Sequence, residues 1–125
     1  MPMTILVVDD EEIVRKLVHV ALKGSVDAVF LEANDAAEAL KIAREHRGPI
    51  DLLVSDVVMP GRMNGIEMAA QLSYAHPEMK IVLMSGYTPE ALTMKPDWYF
   101  IKKPFAVSEI RERIGSILTG NRLAA

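Results

Sequence analysis

The chain has 125 residues, a net charge of −3, no cysteine, half of its residues apolar and 25% charged. That fits one ordinary domain with enough apolar side chains for a core. It excludes disulfide and thiolate chemistry, a helix spanning a membrane, which needs an apolar run of about 18 residues, and the basic field of a direct nucleic-acid binder.

The start, Met1-Pro2-Met3-Thr4, carries no basic segment of a secretory leader, so the expected location is the cytoplasm. Ile5-Leu6-Val7-Val8 is a short continuous apolar run, the mark of a strand buried on both faces, and it ends in Asp9-Asp10. Val14, Leu17, Val18 and Ala21 follow at helical spacing, closed by Gly24-Ser25. Ala28-Val29-Phe30-Leu31 predicts a second strand. Ala36, Ala39, Leu40 and Ala43 predict a second helix, opened by Asp35 with Glu38 three residues on and broken by Gly48-Pro49.

Leu52-Leu53-Val54 predicts a third strand running into Ser55-Asp56. Asn64 and Glu67 read as a capping box for a helix to about Tyr74, stopped by Pro77. Ile81-Val82-Leu83-Met84 is the fourth strand, a short helix is expected between Thr88 and Met94, and Trp98-Tyr99-Phe100-Ile101 is the fifth strand. Val107, Ile110, Ile114 and Ile117 form the last helical stripe. Strands alternating with helices imply parallel crossover units and a sheet covered on both faces. Ligands of such sheets bind outside the carboxyl ends of the strands.

Those ends carry the polar residues: Asp9-Asp10 after the first strand, Asp56 after the third, Ser85 after the fourth and Lys102-Lys103 after the fifth. Neighbouring parallel strands lie about 5 Å apart. If the first and third are neighbours, three carboxylates share a pocket, and a cation or a proton must relieve their repulsion. Hard oxygen ligands without a Cys or His cluster favour Mg²⁺, which binds through one or two carboxylates and a phosphate. One carboxylate can itself attack phosphorus; Lys103 is placed to supply charge and Ser85 a hydroxyl. The plainer use of Asp9 and Asp10 is to cap the following helix, and Lys102-Lys103 can be a solvated pair.

The segments Leu6-Val7-Val8-Asp9-Asp10-Glu11, Leu53-Val54-Ser55-Asp56-Val57-Val58-Met59-Pro60-Gly61, Met84-Ser85-Gly86-Tyr87 and Lys103-Pro104-Phe105, in this order and at this length, resemble the receiver domain of two-component response regulators. The resemblance covers nearly the whole chain. It implies an α/β fold: a doubly wound, five-stranded parallel sheet of order 2-1-3-4-5 with helices on both faces. The fourth helix is expected to be short or irregular, because only Gly86 to Asp97, with Pro89 and Pro96 nearby, separates the fourth and fifth strands. Residues 1–119 would be the receiver domain and 120–125 a tail or linker remnant.

By the same resemblance, Asp56 takes phosphate from a phosphohistidine of a sensor or hybrid histidine kinase. Asp10, Asp56 and the Val58 carbonyl bind Mg²⁺ directly, and Asp9 helps through water. Lys103, rather than Lys102, pairs with the phosphoryl group and is presented by a cis bond to Pro104. Ser85 is the switch hydroxyl and Phe100 stands at the switch aromatic position, with core packing as its plainer role. The stretch from Asp56 to Gly65 is one residue longer than usual, a form often seen in receivers attached to hybrid kinases. The chain would be a monomer or weak dimer with an unknown downstream protein, either a stand-alone regulator or a piece of a longer protein.

Other classes fit less well. A Mg²⁺-dependent phosphatase with an Asp nucleophile usually has a second Asp two residues on, where this chain has Val58. A dinucleotide-binding domain would show Gly-x-Gly-x-x-Gly after the first strand. A pseudo-receiver scaffold would not need Asp10, Asp56 and Lys103 together. His19, His46 and His76 show no ligand spacing, and the eight methionines are scattered core filler.

Overall fold

Strand β1 (Met3–Val8) shows why the first apolar run is continuous: Ile5 and Val7 enter the core on one side of the sheet, Leu6 and Val8 the core on the other. The computed structural model describes residues 2–87 and 97–119. The strands β2 (Ala28–Ala33), β3 (Leu52–Asp56), β4 (Lys80–Ser85) and β5 (Tyr99–Lys102) join β1 in one five-stranded sheet, order β2-β1-β3-β4-β5, with all pairs parallel. The expected order is the observed one. Trp98 stands just before β5 instead of opening it, half-buried against the core.

Four helices are described: α1 (Glu12–Leu22), α2 (Ala36–Glu45), α3 (Gly65–Ala75) and α4 (Val107–Thr119). Helices α1 and α4 cover the face carrying Ile5, Val7, Leu52, Val54, Val82 and Ile101. Helices α2 and α3 cover the face carrying Leu6, Val8, Leu53, Ile81 and Leu83. Side chains such as Leu6, Leu52, Leu53 and Ile101 are fully buried, each contributing about 1.5–3 kcal/mol. The helix expected between Thr88 and Met94 and the tail at 120–125 lie outside the described residues. Among those described, no helix is long and apolar enough to cross a membrane.

Two helix starts, those of α2 and α3, carry side-chain caps. At α3 the capping box is complete: the Asn64 side chain accepts from the Glu67 N–H at 2.9 Å, and Glu67 accepts from the Asn64 N–H at 3.0 Å. At α2 the Asp35 side chain accepts from the Glu38 N–H at 2.8 Å, but Glu38 accepts from the Asn34 N–H, one residue upstream. The two caps differ in φ, −155° at Asp35 and −87° at Asn64.

Parallel pairing puts every strand's carboxyl end on one edge. Val8 pairs with both Ala33 and Ser55, Asp56 with Met84, and Ser85 with Lys102. The residues just past or at those ends are the acids, the serine and the lysines singled out by sequence.

Candidate functional site

Because β1 and β3 are neighbours, Asp9 and Asp10 emerge beside Asp56. One carboxylate oxygen from each of the three lies within 4.8 Å of the others. Asp9 is fully buried, Asp56 nearly so, and Asp10 is exposed. Capping does not explain the first two acids. The N-cap of α1 is Glu11, which makes no side-chain cap bond. Asp9 Oδ1 instead accepts from the Glu11 N–H at 2.9 Å, a turn just ahead of the helix.

Lys103 reaches the cluster from the loop after β5. Its Nζ lies 3.1 Å from Asp9 Oδ2 and 3.4 Å from Asp56 Oδ1. The Lys103-Pro104 bond is cis, as the Lys-Pro-Phe pattern implied, and the Lys103 N–H donates to the Ser85 carbonyl at 2.8 Å. Lys102 is the last residue of β5 and is exposed, so the two lysines separate cleanly. Ser85 is buried, one residue past the Met84 that pairs with Asp56, and its Oγ accepts from the Tyr87 N–H at 3.0 Å.

The electrostatics are those of a cluster short of positive charge. Burial pushes the Asp56 carboxyl above its ordinary value; the Lys103 ammonium opposes this and Asp9 adds to it. For Lys103, burial works toward a lower value. The hydrogen bond to Asp9 and the charges of Asp56 and Asp9 outweigh it, so its ammonium is held above its ordinary value. Both oxygens of Asp9 are engaged, by Glu11 and by Lys103, which leaves Asp10 and Asp56 to face a cation. Three clustered carboxylates with no thiol or imidazole among them fit a hard divalent ion.

Two supports were not legible in the sequence as parts of the site. Gly65, which opens α3, packs against the end of β3. A Cβ there would run into the Asp56 carbonyl oxygen and lie 3.0 Å from the Asp56 carbonyl carbon and from Val57 Cα. The Gly65 N–H also donates to the Val57 carbonyl at 2.8 Å, so this glycine lets the loop return onto the carboxyl edge of the sheet. Arg15, on α1, donates to the Asp9 carbonyl at 2.6 Å. Nothing in the spacing of the helix separates it from an ordinary surface arginine.

The other named residues sit apart from the carboxylates or at their border. Val58 is 58% exposed in the loop after Asp56. Phe100 is half-buried in β5, paired with Leu83, on the opposite face from Tyr99 and Ile101. His19 packs its ring against Phe30, centroids 4.3 Å apart, while His46 and His76 are the C-caps of α2 and α3. An apolar groove of about 480 Å³ between α1 and Pro104-Phe105 opens beside Lys103.

Comparison with known proteins agrees with this geometry. The family model for the response regulator receiver domain matches residues 5–115. The sensor kinase CckA of Brucella abortus is 35% identical over 92% of this chain, which corresponds to 12% of that kinase. The alkaline phosphatase synthesis transcriptional regulatory protein PhoP of Bacillus subtilis is 35% identical over 97% of this chain and 50% of that protein. The chain thus spans half or less of these curated relatives. Among solved structures, the receiver domain of the hybrid histidine kinase CckA superposes with a TM-score of 0.70 at 34% identity, over 92% of this chain and 98% of that one. A CheY-like receiver domain protein from Methanospirillum hungatei superposes over all of both chains with a TM-score of 0.82; at 21% identity it speaks for the fold alone. The chain belongs to the response regulator receiver domain family and is a phosphorylation switch of two-component signalling.

Proposed function

We propose that Asp56 is the phosphoacceptor. The reading rests on one observation: Asp56 meets Asp9, Asp10 and Lys103 at a single sheet edge. An Asp56 carboxylate oxygen attacks the phosphorus of a phosphohistidine on a sensor or hybrid histidine kinase. The new P–O bond forms as the P–N bond breaks, and the imidazole leaves with the electron pair and takes up a proton. Such transfer needs positioning and charge neutralisation more than further covalent chemistry.

Asp10, Asp56 and the Val58 carbonyl would hold Mg²⁺, with Asp9 contributing through water. The ion supplies charge neutralisation at the phosphoryl oxygens. Lys103 moves its ammonium from Asp56 onto a phosphoryl oxygen, and the Ser85 hydroxyl donates to another. Phe100 then responds to the displaced Ser85, a local charge event biasing a two-state element. The domain acts on itself and on partner proteins, with no external metabolite as substrate.

Acetyl phosphate with MgCl₂ should add one phosphoryl group to the wild-type chain, read by intact mass, and none to Asp56→Asn. Persistent labelling of the variant would move the nucleophile elsewhere. Turnover of many small phosphate esters would favour a phosphatase.

A further inference from the structure

Arg15 belongs to an amphipathic helix, one turn from its start, where its neighbour Lys16 is in solvent. Yet the Arg15 side chain is only 12% exposed. Its Nη1 donates to the Asp9 carbonyl at 2.6 Å and its Nε to Glu32 Oε1 at 2.9 Å. We propose that Arg15 is a positioning residue for the divalent-cation site, acting through the Asp9 carbonyl and never touching the ion. The proposal rests on the reading of the acidic cluster as a Mg²⁺ site.

The sheet's own bonds stop where this contact begins. The Asp9 N–H still donates to the Ala33 carbonyl at 3.1 Å, while pairing of β1 with β3 ends at Val8 and Ser55. The chain then leaves the sheet, and the Asp9 carbonyl takes Arg15 as its donor. With the Glu11 N–H on Asp9 Oδ1, the turn is pinned at a main-chain and a side-chain atom. The carbonyl of Asp9 fixes the peptide plane leading into Asp10, and that plane sets where the Asp10 side chain starts.

Asp10 needs this help more than its neighbours do. Asp9 is held by Lys103 and Glu11, and Asp56 by Lys103. The Asp10 carboxylate is exposed and makes no hydrogen bond or ion pair among the described residues. Among the described residues its placement comes from the backbone, while Mg²⁺ demands near-ideal octahedral geometry. Glu32, at the end of β2 beside Ala33, keeps the guanidinium plane aimed. A planar fork serves two acceptors in fixed directions, and a lysine ammonium does not.

The test is a MgCl₂ titration followed by backbone amide NMR shifts on the wild type, Arg15→Ala, Arg15→Lys and Asp10→Asn. Amide hydrogen exchange is measured on the same proteins without metal. Arg15→Ala is expected to weaken Mg²⁺ binding about tenfold or more, the usual effect of losing an outer-shell partner. Exchange at Glu11 should rise while exchange in β3 stays as in wild type, and Arg15→Lys should fall between. Wild-type Mg²⁺ affinity in Arg15→Ala overturns the proposal. So does weakening that appears only together with faster exchange throughout β3, because Arg15 would then support the fold in general. Asp10→Asn separates the two levels: its own loss of Mg²⁺ binding is expected, and wild-type binding there would sink the cluster reading and this inference with it.

Discussion

The two edges of the sheet use aspartate in opposite ways. At the amino edge Asp51 stands just before β3. Its Oδ2 accepts from the Thr4 N–H at 2.8 Å, its N–H donates to the Thr4 carbonyl at 2.9 Å, and its own carbonyl accepts from the Lys80 N–H at 3.0 Å. That acid is satisfied by the fold and ties β1 to β4 across the start of β3. At the carboxyl edge Asp9, Asp10 and Asp56 crowd together with Lys103 as the cation between two of them. The contrast separates an acid held by the fold from acids whose charge the fold leaves in excess. The first has a carboxylate oxygen and its main chain matched to backbone partners; the second group carries more negative charge than the fold neutralises.

The largest expected effect breaks the pair of edges apart outright. Asp56→Asn should abolish labelling by acetyl phosphate and Mg²⁺, whereas Asp51→Asn should label at the wild-type level. A labelling defect in Asp51→Asn, in protein whose near-ultraviolet circular dichroism is native, would show that the two edges are coupled and that the contrast is too simple.

Much of the carboxyl edge was legible in the sequence. Apolar runs gave the strands, and the order of acidic, hydroxyl and basic residues at their ends marked the edge that matters. The Lys-Pro-Phe pattern singled out Lys103 over the adjacent Lys102, and the backbone turn at the end of β5 sends Lys102 outward and Lys103 onto Asp9 and Asp56. Two supports were not legible. Arg15 sits among helix-compatible residues, so its partner, a carbonyl at a strand end, has no sequence signature. Gly65 was marked only as the glycine that ends the longer stretch after Asp56; its need comes from a close approach to Asp56, a packing fact across the β3–α3 connection.

The next effects concern stability, and they sharpen the comparison by size. Lys103→Gln leaves the fully buried Asp9 without its cation, a loss on the order of 2–3 kcal/mol after allowance for the partial exposure of the lysine. Urea unfolding at pH 7 measures it. The raised value of Lys103 fixes the sign: its contribution is full below about 10.5, the ordinary value, and fades as pH climbs through the higher folded value. The gap between wild type and Lys103→Gln should therefore narrow in alkali. Asp51→Ala leaves the half-buried Thr4 N–H without its acceptor, worth about 1–2 kcal/mol. A neutral result there would mean that water replaces the carboxylate and that the amino edge is less closed than its hydrogen bonds suggest.

The smallest effect is the most discriminating, because it runs opposite in sign. Without metal, burial and the Asp9 charge hold Asp56 above its ordinary value of 3.8. The folded chain then binds that proton more tightly than the unfolded chain does. The group therefore favours the fold below pH 3.8, and this contribution is lost as pH rises through the higher folded value. Once ionised, Asp56 carries a desolvation penalty that Lys103 only partly offsets. Asn does not titrate, so Asp56→Asn should gain stability over wild type as pH rises through that window and hold the gain at neutral pH. The gain should stay under about 1 kcal/mol, because the Lys103 ammonium offsets much of the burial penalty. Adding MgCl₂ should reverse it, since an ion held by the ionised cluster stabilises only the wild type, by about 1.4 kcal/mol at ten times its dissociation constant. Urea midpoints for both proteins between pH 3.5 and 7, with chelator and with MgCl₂, give the full comparison. A difference that shrinks with rising pH would mean that Lys103 already satisfies Asp56 as the Thr4 N–H satisfies Asp51, leaving no surplus of charge to bind an ion.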